Sequence, residues 1–192
     1  EQLQFCVGTT DSGASSDCTD ISGTAINLGV VDSGAVSATS DTAGLAMIRT
    51  NAVNGATISY KAEQNTSSGK LKVAGAACSG VAVTDQCFNS TGTTQATISA
   101  GTEAFGMAIT DINNSNGGGT NDNLTCDTNY DGDGSCDGTV GAVQYAWDDT
   151  GVFDTIATSS TVLDDELITL KFAATAAATT PTGLYSTTAN FV

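Results

Sequence analysis

Apolar and polar residues alternate with a period of two in short stretches along most of the chain, which predicts strands rather than helices. Leu3, Phe5 and Val7 alternate with other residues at the amino terminus. Strand-like runs follow at Ala25-Ile-Asn-Leu-Gly-Val-Val31, Leu45-Ala-Met-Ile-Arg-Thr50 and Ala56-Thr-Ile-Ser-Tyr-Lys-Ala62, the last placing Ala56, Ile58 and Tyr60 on one face. The series continues through Leu71-Lys-Val73, Val81-Ala-Val83, Ala96-Thr-Ile-Ser99 and Phe105-Gly-Met-Ala-Ile109. Val140-Gly-Ala-Val-Gln-Tyr-Ala146, Val152-Phe153, Leu167-Ile-Thr-Leu-Lys-Phe-Ala-Ala174 and the tail Gly183 to Val192 complete it. Only Ser37 to Ala43 and Thr161 to Asp165 offer a helical turn, and neither sustains a 3.6-residue period.

Roughly ten short strands separated by Gly/Ser/Asn-rich turns predict an all-β fold, a β-sandwich of jelly-roll or immunoglobulin-like type. No shift in composition marks a linker, so residues 1–192 are expected to form a single domain. Residues 111–138 form an acidic Asn/Asp/Gly-rich stretch, long for a loop and therefore expected to be functional or held by a ligand.

Composition narrows the function. Charged residues make up 14% of the chain, and 21 Asp and Glu against 5 Lys and Arg give a net charge of −16. Such a surface repels phosphate, which argues against nucleic acid and anionic membranes as partners and favours cations. The chain has no His, so catalytic arrangements built on His are excluded, and so is the commonest zinc ligand. No run approaches the ~20 apolar residues of a membrane span. The first residues lack the basic start and apolar segment of a signal peptide, and the sequence reads as a mature secreted chain at the cell surface or outside it. The long apolar amino-terminal helix of type IV pilins is also missing from it.

The six cysteines fall into sequence-local pairs, Cys6 with Cys18, Cys78 with Cys87 and Cys126 with Cys136. None has CxxC spacing, and each pair encloses a Gly/Ser/Asp-rich stretch, so disulfides between local partners are expected. Disulfides imply an oxidising compartment.

The sharpest local motif is Cys126-Asp-Thr-Asn-Tyr-Asp-Gly-Asp-Gly-Ser-Cys-Asp-Gly138. Asp127, Asn129 and Asp131 have the 1-3-5 spacing of an EF-hand-like calcium loop, and Gly132 stands at its sixth position. Oxygens at alternate positions of a tightly curving backbone converge on one centre. Asp133 is the candidate carbonyl donor, Ser135 the next ligand, and Asp137 the substitute for the bidentate Glu, whose twelfth position is Gly138 here. The loop resembles the DxNxDGDG calcium loops of dockerins and thrombospondin type-3 repeats, which implies a structural Ca²⁺. The competing reading is a solvated hairpin tip, which has the same composition.

Asn65, Asn89, Asn113 and Asn123 head Asn-x-Ser/Thr sequons in predicted loops and are candidate glycan acceptors. Asp148-Asp149 beside Trp147, and Asp164-Asp165-Glu166, are the acids that a glycosidase would use in pairs. Adjacent strand residues point to opposite faces, so solvated turns are the expected role and no catalytic residue is assigned. Trp147 and Tyr145 with nearby acids are the candidates for a sugar-binding face.

Both ends of the chain are strand-like, and a strand at a terminus either pairs at home or adds to a neighbour's open edge. Ile26-Asn-Leu-Gly-Val-Val with Ser33-Gly, followed by Arg49-Thr-Asn-Ala-Val-Asn-Gly-Ala-Thr-Ile-Ser59, resembles a pattern of secreted prokaryotic β-sandwich proteins. Thr180-Pro-Thr-Gly-Leu-Tyr-Ser-Thr-Thr-Ala-Asn-Phe is similar to the closing strand of pilin-like and spore-coat-like subunits. The resemblance, which extends to fibre proteins of the camelysin type, implies subunits that polymerise by donating a terminal strand. The expectation is an extracellular filament subunit, not an enzyme, that pairs with identical subunits and donates residues 1–7. Leu3, Phe5 and Val7 would fill the neighbour's groove, each burial contributing ~1.5–3 kcal/mol before ordering costs. The alternative is a monomeric secreted adhesin or carbohydrate-binding module.

Overall fold

The computed structural model describes residues 2–13, 18–64, 68–78, 86–114, 123–132, 136 and 144–192. Among them there is no helix. The strands are β1 (Leu3–Gly8), β2 (Thr10–Asp11), β3 (Ile21–Ser22), β4 (Ser37–Ala38) and β5 (Gly44–Thr50). They continue with β6 (Thr57–Ala62), β7 (Lys72–Val73), β8 (Gly92–Thr97), β9 (Ala104–Asn114) and β10 (Thr125–Cys126). The last five are β11 (Gln144–Trp147), β12 (Asp154–Thr158), β13 (Leu163–Thr175), β14 (Tyr185–Ser186) and β15 (Ala189–Phe191).

Two sheets form a β-sandwich. The larger has the order β1-β5-β13-β9-β11-β8, with β4 also on β13; the smaller has the order β10-β12-β6-β15. Two short ribbons, β2–β3 and β7–β14, lie outside them. The backbone of the larger sheet is the antiparallel pair β9–β13, in register from Glu166↔Asn114 to Thr175↔Ala104.

Period-two patterning explains the packing. On β13, Ile168, Leu170, Phe172 and Ala174 enter the core, where they join Ala46 and Ile48 of β5, Ile58 and Tyr60 of β6, and Ile156 of β12. Intervening residues cover the outer face in two smaller clusters, one of Leu45, Met47 and Leu167 and one of Ile98, Ala108, Tyr145 and Ala173. Two irregularities re-aim side chains. The register slips between Thr169 and Leu170, so Thr110 is an extra residue on β9 and both Ile109 and Ile112 face inward. The Thr110 hydroxyl donates to the Asp41 carbonyl at 2.6 Å. A second slip between Tyr145 and Trp147 sends Tyr145 outward while Ala146 and Trp147 both turn into the core.

The all-β sandwich agrees with the sequence pattern, and several local expectations do not hold. Ala25 to Val31 is not a strand: the Asn27 side chain accepts the Gly29 N–H at 2.8 Å and Gly29 has φ of 74°, a turn that breaks extension. Leu28 and Val31 still plug the core edge. Val152-Phe153 is an exposed turn and the strand begins at Asp154. The tail splits into two short strands because β14 pairs β7 whereas β15 pairs β6. Neither candidate helical turn forms, since Ser37 enters β4 and Leu163 begins β13. The acidic stretch is shorter than its composition indicated, because β9 runs on to Asn114. Val81 to Val83 and Val140 to Val143 lie outside the described residues.

Candidate functional site

Two regions carry the candidate functional residues, the amino-terminal edge strand and the loop after β10. β1 pairs with β5 through six residue pairs, Leu3↔Thr50 to Gly8↔Leu45. Its odd positions share the inner face, as the alternation predicts. Phe5 packs on the core, whereas Leu3 is 69% and Val7 40% exposed, because β1 is the end of the sheet. Cys6 points to the opposite face, where Cys6, Cys18 and Ile21 pack on Leu45, Met47 and Leu167. The structure closes all three local disulfides, Cys6–Cys18, Cys78–Cys87 and Cys126–Cys136.

The acidic loop leaves the smaller sheet at β10, which pairs with β12. Asp127 N–H donates to the Ile156 carbonyl at 2.7 Å, and the Asp127 carboxylate accepts the Asn129 backbone N–H at 2.8 Å and its side-chain amide at 3.0 Å. Gly132 takes φ of 64°, which only glycine adopts without strain. The loop is fastened to β9, since Ile109 N–H donates to the Tyr130 carbonyl at 2.7 Å and Ile112 N–H to the Cys136 carbonyl at 3.1 Å. Asp131 is only 6% exposed, and its Oδ1 has no hydrogen-bond partner among the described residues. Asp133, Ser135 and Asp137 lie outside the described residues.

Under this loop runs a buried polar chain that the sequence did not disclose. Asp148 N–H donates to the Tyr60 hydroxyl at 2.7 Å, the Tyr60 and Tyr130 hydroxyls lie 3.1 Å apart, and Tyr130 donates to the Asp154 carboxylate at 2.5 Å. With Tyr130 donating to Asp154, the Tyr60 hydroxyl supplies the proton between the two rings. The rings meet edge to face, 5.6 Å apart. Burial, above all, pushes both phenols well above the ordinary tyrosine range, and the Asp154 charge adds to it.

The aromatic residues proposed for a sugar face are core residues. Trp147 is 1% exposed, donates its indole N–H to the Gly69 carbonyl at 3.0 Å, and meets Phe105 edge to face at 4.8 Å. Tyr145 is buried on the other side of the sheet. The neighbouring acids are committed locally: Asp148 accepts both the Thr150 N–H and its hydroxyl, and Asp149 accepts the Ser90 hydroxyl. Asp164 and Asp165 lie 3.4 and 3.8 Å from the Arg49 guanidinium, and Glu166 accepts the Asn123 N–H at 3.3 Å. Of the sequons, Asn89 and Asn123 are exposed outside strands. Asn113 is not in a loop: it sits in β9 and donates its amide to Asp111 at 2.9 Å. Asn65 lies outside the described residues.

The polar chain fixes a pH response. Free tyrosines ionise near pH 10, whereas Tyr60 and Tyr130 stay protonated when folded. Above that pH the unfolded chain holds fewer protons than the folded one, so stability falls as pH rises, by about 1.4 kcal/mol per pH unit for each tyrosine. Urea midpoints measured from pH 8 to pH 11 are expected to fall steeply above about pH 10 for the native chain. The combined Tyr60→Phe and Tyr130→Phe variant is expected to lose this added slope.

Compared with known proteins, the chain matches no protein-family model, no curated protein and no solved structure.

Proposed function

We propose that this chain is a structural subunit of an extracellular filament whose subunits join by donating a terminal β-strand, with identical subunits as partners. The observation that carries this reading is the placement of β1. It lies at the edge of the larger sheet, it is held in the ladder by β5, and two of its three inward apolar side chains, Leu3 and Val7, are exposed. Such a strand exchanges one β5 edge for an identical one in another subunit without a new kind of contact. Three disulfides support an oxidising, extracellular setting. Among the described residues, exposed Asn89 and Asn123 are the sequons suited to glycans. The competing sugar-binding module loses its anchors, because Trp147 and Tyr145 are buried.

Sedimentation tests this reading. The native chain is expected to sediment as large assemblies, and deletion of residues 1–7 is expected to leave folded monomers by near-ultraviolet circular dichroism. If the deletion also disturbs folding, Gln4→Pro removes one ladder donor while keeping Cys6, and is expected to abolish assembly likewise. Assembly that persists in both variants would contradict strand donation.

We further propose that the loop after β10 holds a structural calcium ion through Asp127, Asn129 and Asp131. The support is the buried Asp131 oxygen without a hydrogen-bond partner among the described residues, a costly state that a cation offsets, together with the left-handed Gly132 at the sixth loop position. For a Kd on the order of 10⁻⁴–10⁻³ M, calcium at ~10 mM contributes about 1.4–2.7 kcal/mol. The native chain is expected to melt higher in calcium than in chelator, and Asp131→Asn to erase the difference. Equal melting of the native chain in both would overturn the proposal.

A further inference from the structure

The amino-terminal segment is tied to itself more extensively than a bare strand is. Cys6, in the middle of β1, is bonded to Cys18. β2 and β3 pair through Thr10↔Ser22 and Asp11↔Ile21. Thr9 N–H donates to the Ser22 carbonyl at 2.7 Å, Ser12 N–H to the Asp20 carbonyl at 3.2 Å, and the Ser12 hydroxyl to the Asp20 carboxylate at 2.7 Å. A Cβ added at Gly8 would stand 2.5 Å from the Ser22 carbonyl oxygen and 2.7 Å from the Ile21 side chain, so the two arms are in direct contact. The Cys6–Cys18 bond and these contacts join the arms 2–13 and 18–22 into one unit.

This unit grips the sheet edge from both sides. Its β1 arm makes the ladder to β5 and sets Phe5 on the inner core. Cys6, Cys18 and Ile21 press on Leu45, Met47 and Leu167 of the outer face. Residues 23–27 are exposed and belong to no strand. From Leu28 the chain is anchored again, by Leu28 and Val31 on the core and by the Asp32 carbonyl, which accepts the Ala176 N–H at 3.1 Å.

Resting on the strand-donation reading, we propose that the donated unit is both arms, residues 2–13 and 18–22, held together by Cys6–Cys18, and that in the filament they clamp β5 of the next subunit as they clamp their own β5 here. Cys6 cannot leave without Cys18, so donating β1 carries the second arm with it. Every contact the unit makes at home is available on an identical neighbour, which is the condition for exchange between copies. Five residues, 23–27, extend about 17 Å, so the receiving β5 lies on a directly touching subunit. Short hinges of this kind favour exchange over slack linkage. Folded back, the same unit covers the β5 edge and keeps the free subunit from uncontrolled pairing.

A cross-link between opposite positions reads the exchange. Asn51 N–H donates to the Gln2 carbonyl at 3.3 Å, which makes Leu3↔Thr50 a non-hydrogen-bonded pair. The Cα atoms of such a pair lie about 4.5 Å apart, within the disulfide range. The full chain carrying Leu3→Cys and Thr50→Cys is assembled from an equal mixture of isotope-labelled and unlabelled subunits and then oxidised. The expected result is a covalent ladder on a non-reducing denaturing gel. The engineered bond then joins labelled to unlabelled chains at a share of about one half, as random exchange requires, while the Cys6–Cys18 bond never does. Fibres in which both the engineered bond and the Cys6–Cys18 bond are mixed would overturn this inference and leave strand donation standing, whereas fibres whose engineered bond stays within each chain would overturn strand donation itself. A native chain that forms no fibres would overturn the reading on which it rests. Val7→Cys with Ala46→Cys, another opposite pair on the same face, gives the same readout if the first variant does not fold.

Discussion

The pairing of β13 with β9 sets the position of every strand that matters for function. These are the longest strands, at 13 and 11 residues, and their shared ladder holds β5 on one side and β11 on the other. β5 presents its far edge to β1 only because β13 fixes the near one. The ladder also supplies the inward row Ile168, Leu170, Phe172 and Ala174, against which the smaller sheet closes. A chain with 14% charged residues but a net charge of −16 repels itself, and this apolar interface has to hold the sheets together against that repulsion.

Buried polar groups add specificity to an otherwise apolar interface. The hydrogen-bonded run from Asp148 through Tyr60 and Tyr130 to Asp154 joins the end of β11 to β6, the loop after β10 and the start of β12. It therefore fixes how the sheets lie on each other, since a slipped register would leave a phenol or a carboxylate unpaired. Two disulfides tie a sheet strand to a segment outside the sheets. Cys6–Cys18 closes the amino-terminal unit and Cys126–Cys136 closes the acidic loop, each constraining the unfolded chain by roughly 3 kcal/mol in the chain-entropy picture.

Much of this was legible in the sequence, for identifiable reasons. β5, β6, β9 and β13 carry apolar alternation strong enough to mark them, and short Gly/Ser/Asp-rich intervals marked the cysteine partners. Alternation failed where local chemistry overrode it. Ala25 to Val31 reads as a strand, but an Asn27–Gly29 turn breaks it. The tail has one continuous pattern yet serves two different partners, which is a property of topology and not of the tail. Trp147 beside two acids resembled an exposed binding face, and the register slip before it, invisible in sequence, turned the ring into the core. The polar chain was hidden because Tyr60, Tyr130 and Asp154 are far apart along the chain and meet only when the sheets close. At the amino terminus the alternation of Leu3, Phe5 and Val7 identified the strand, but not that the disulfide makes it one arm of a larger clamp.

Negative-stain electron microscopy of the native protein, before and after heating in detergent, separates strand donation from a free subunit. Strand donation predicts uniform fibres that persist in detergent, because each joint is a backbone ladder held inside a folded sheet. A clean monomer with its disulfides formed would contradict it, and would make β1 an ordinary edge strand that pairs only at home.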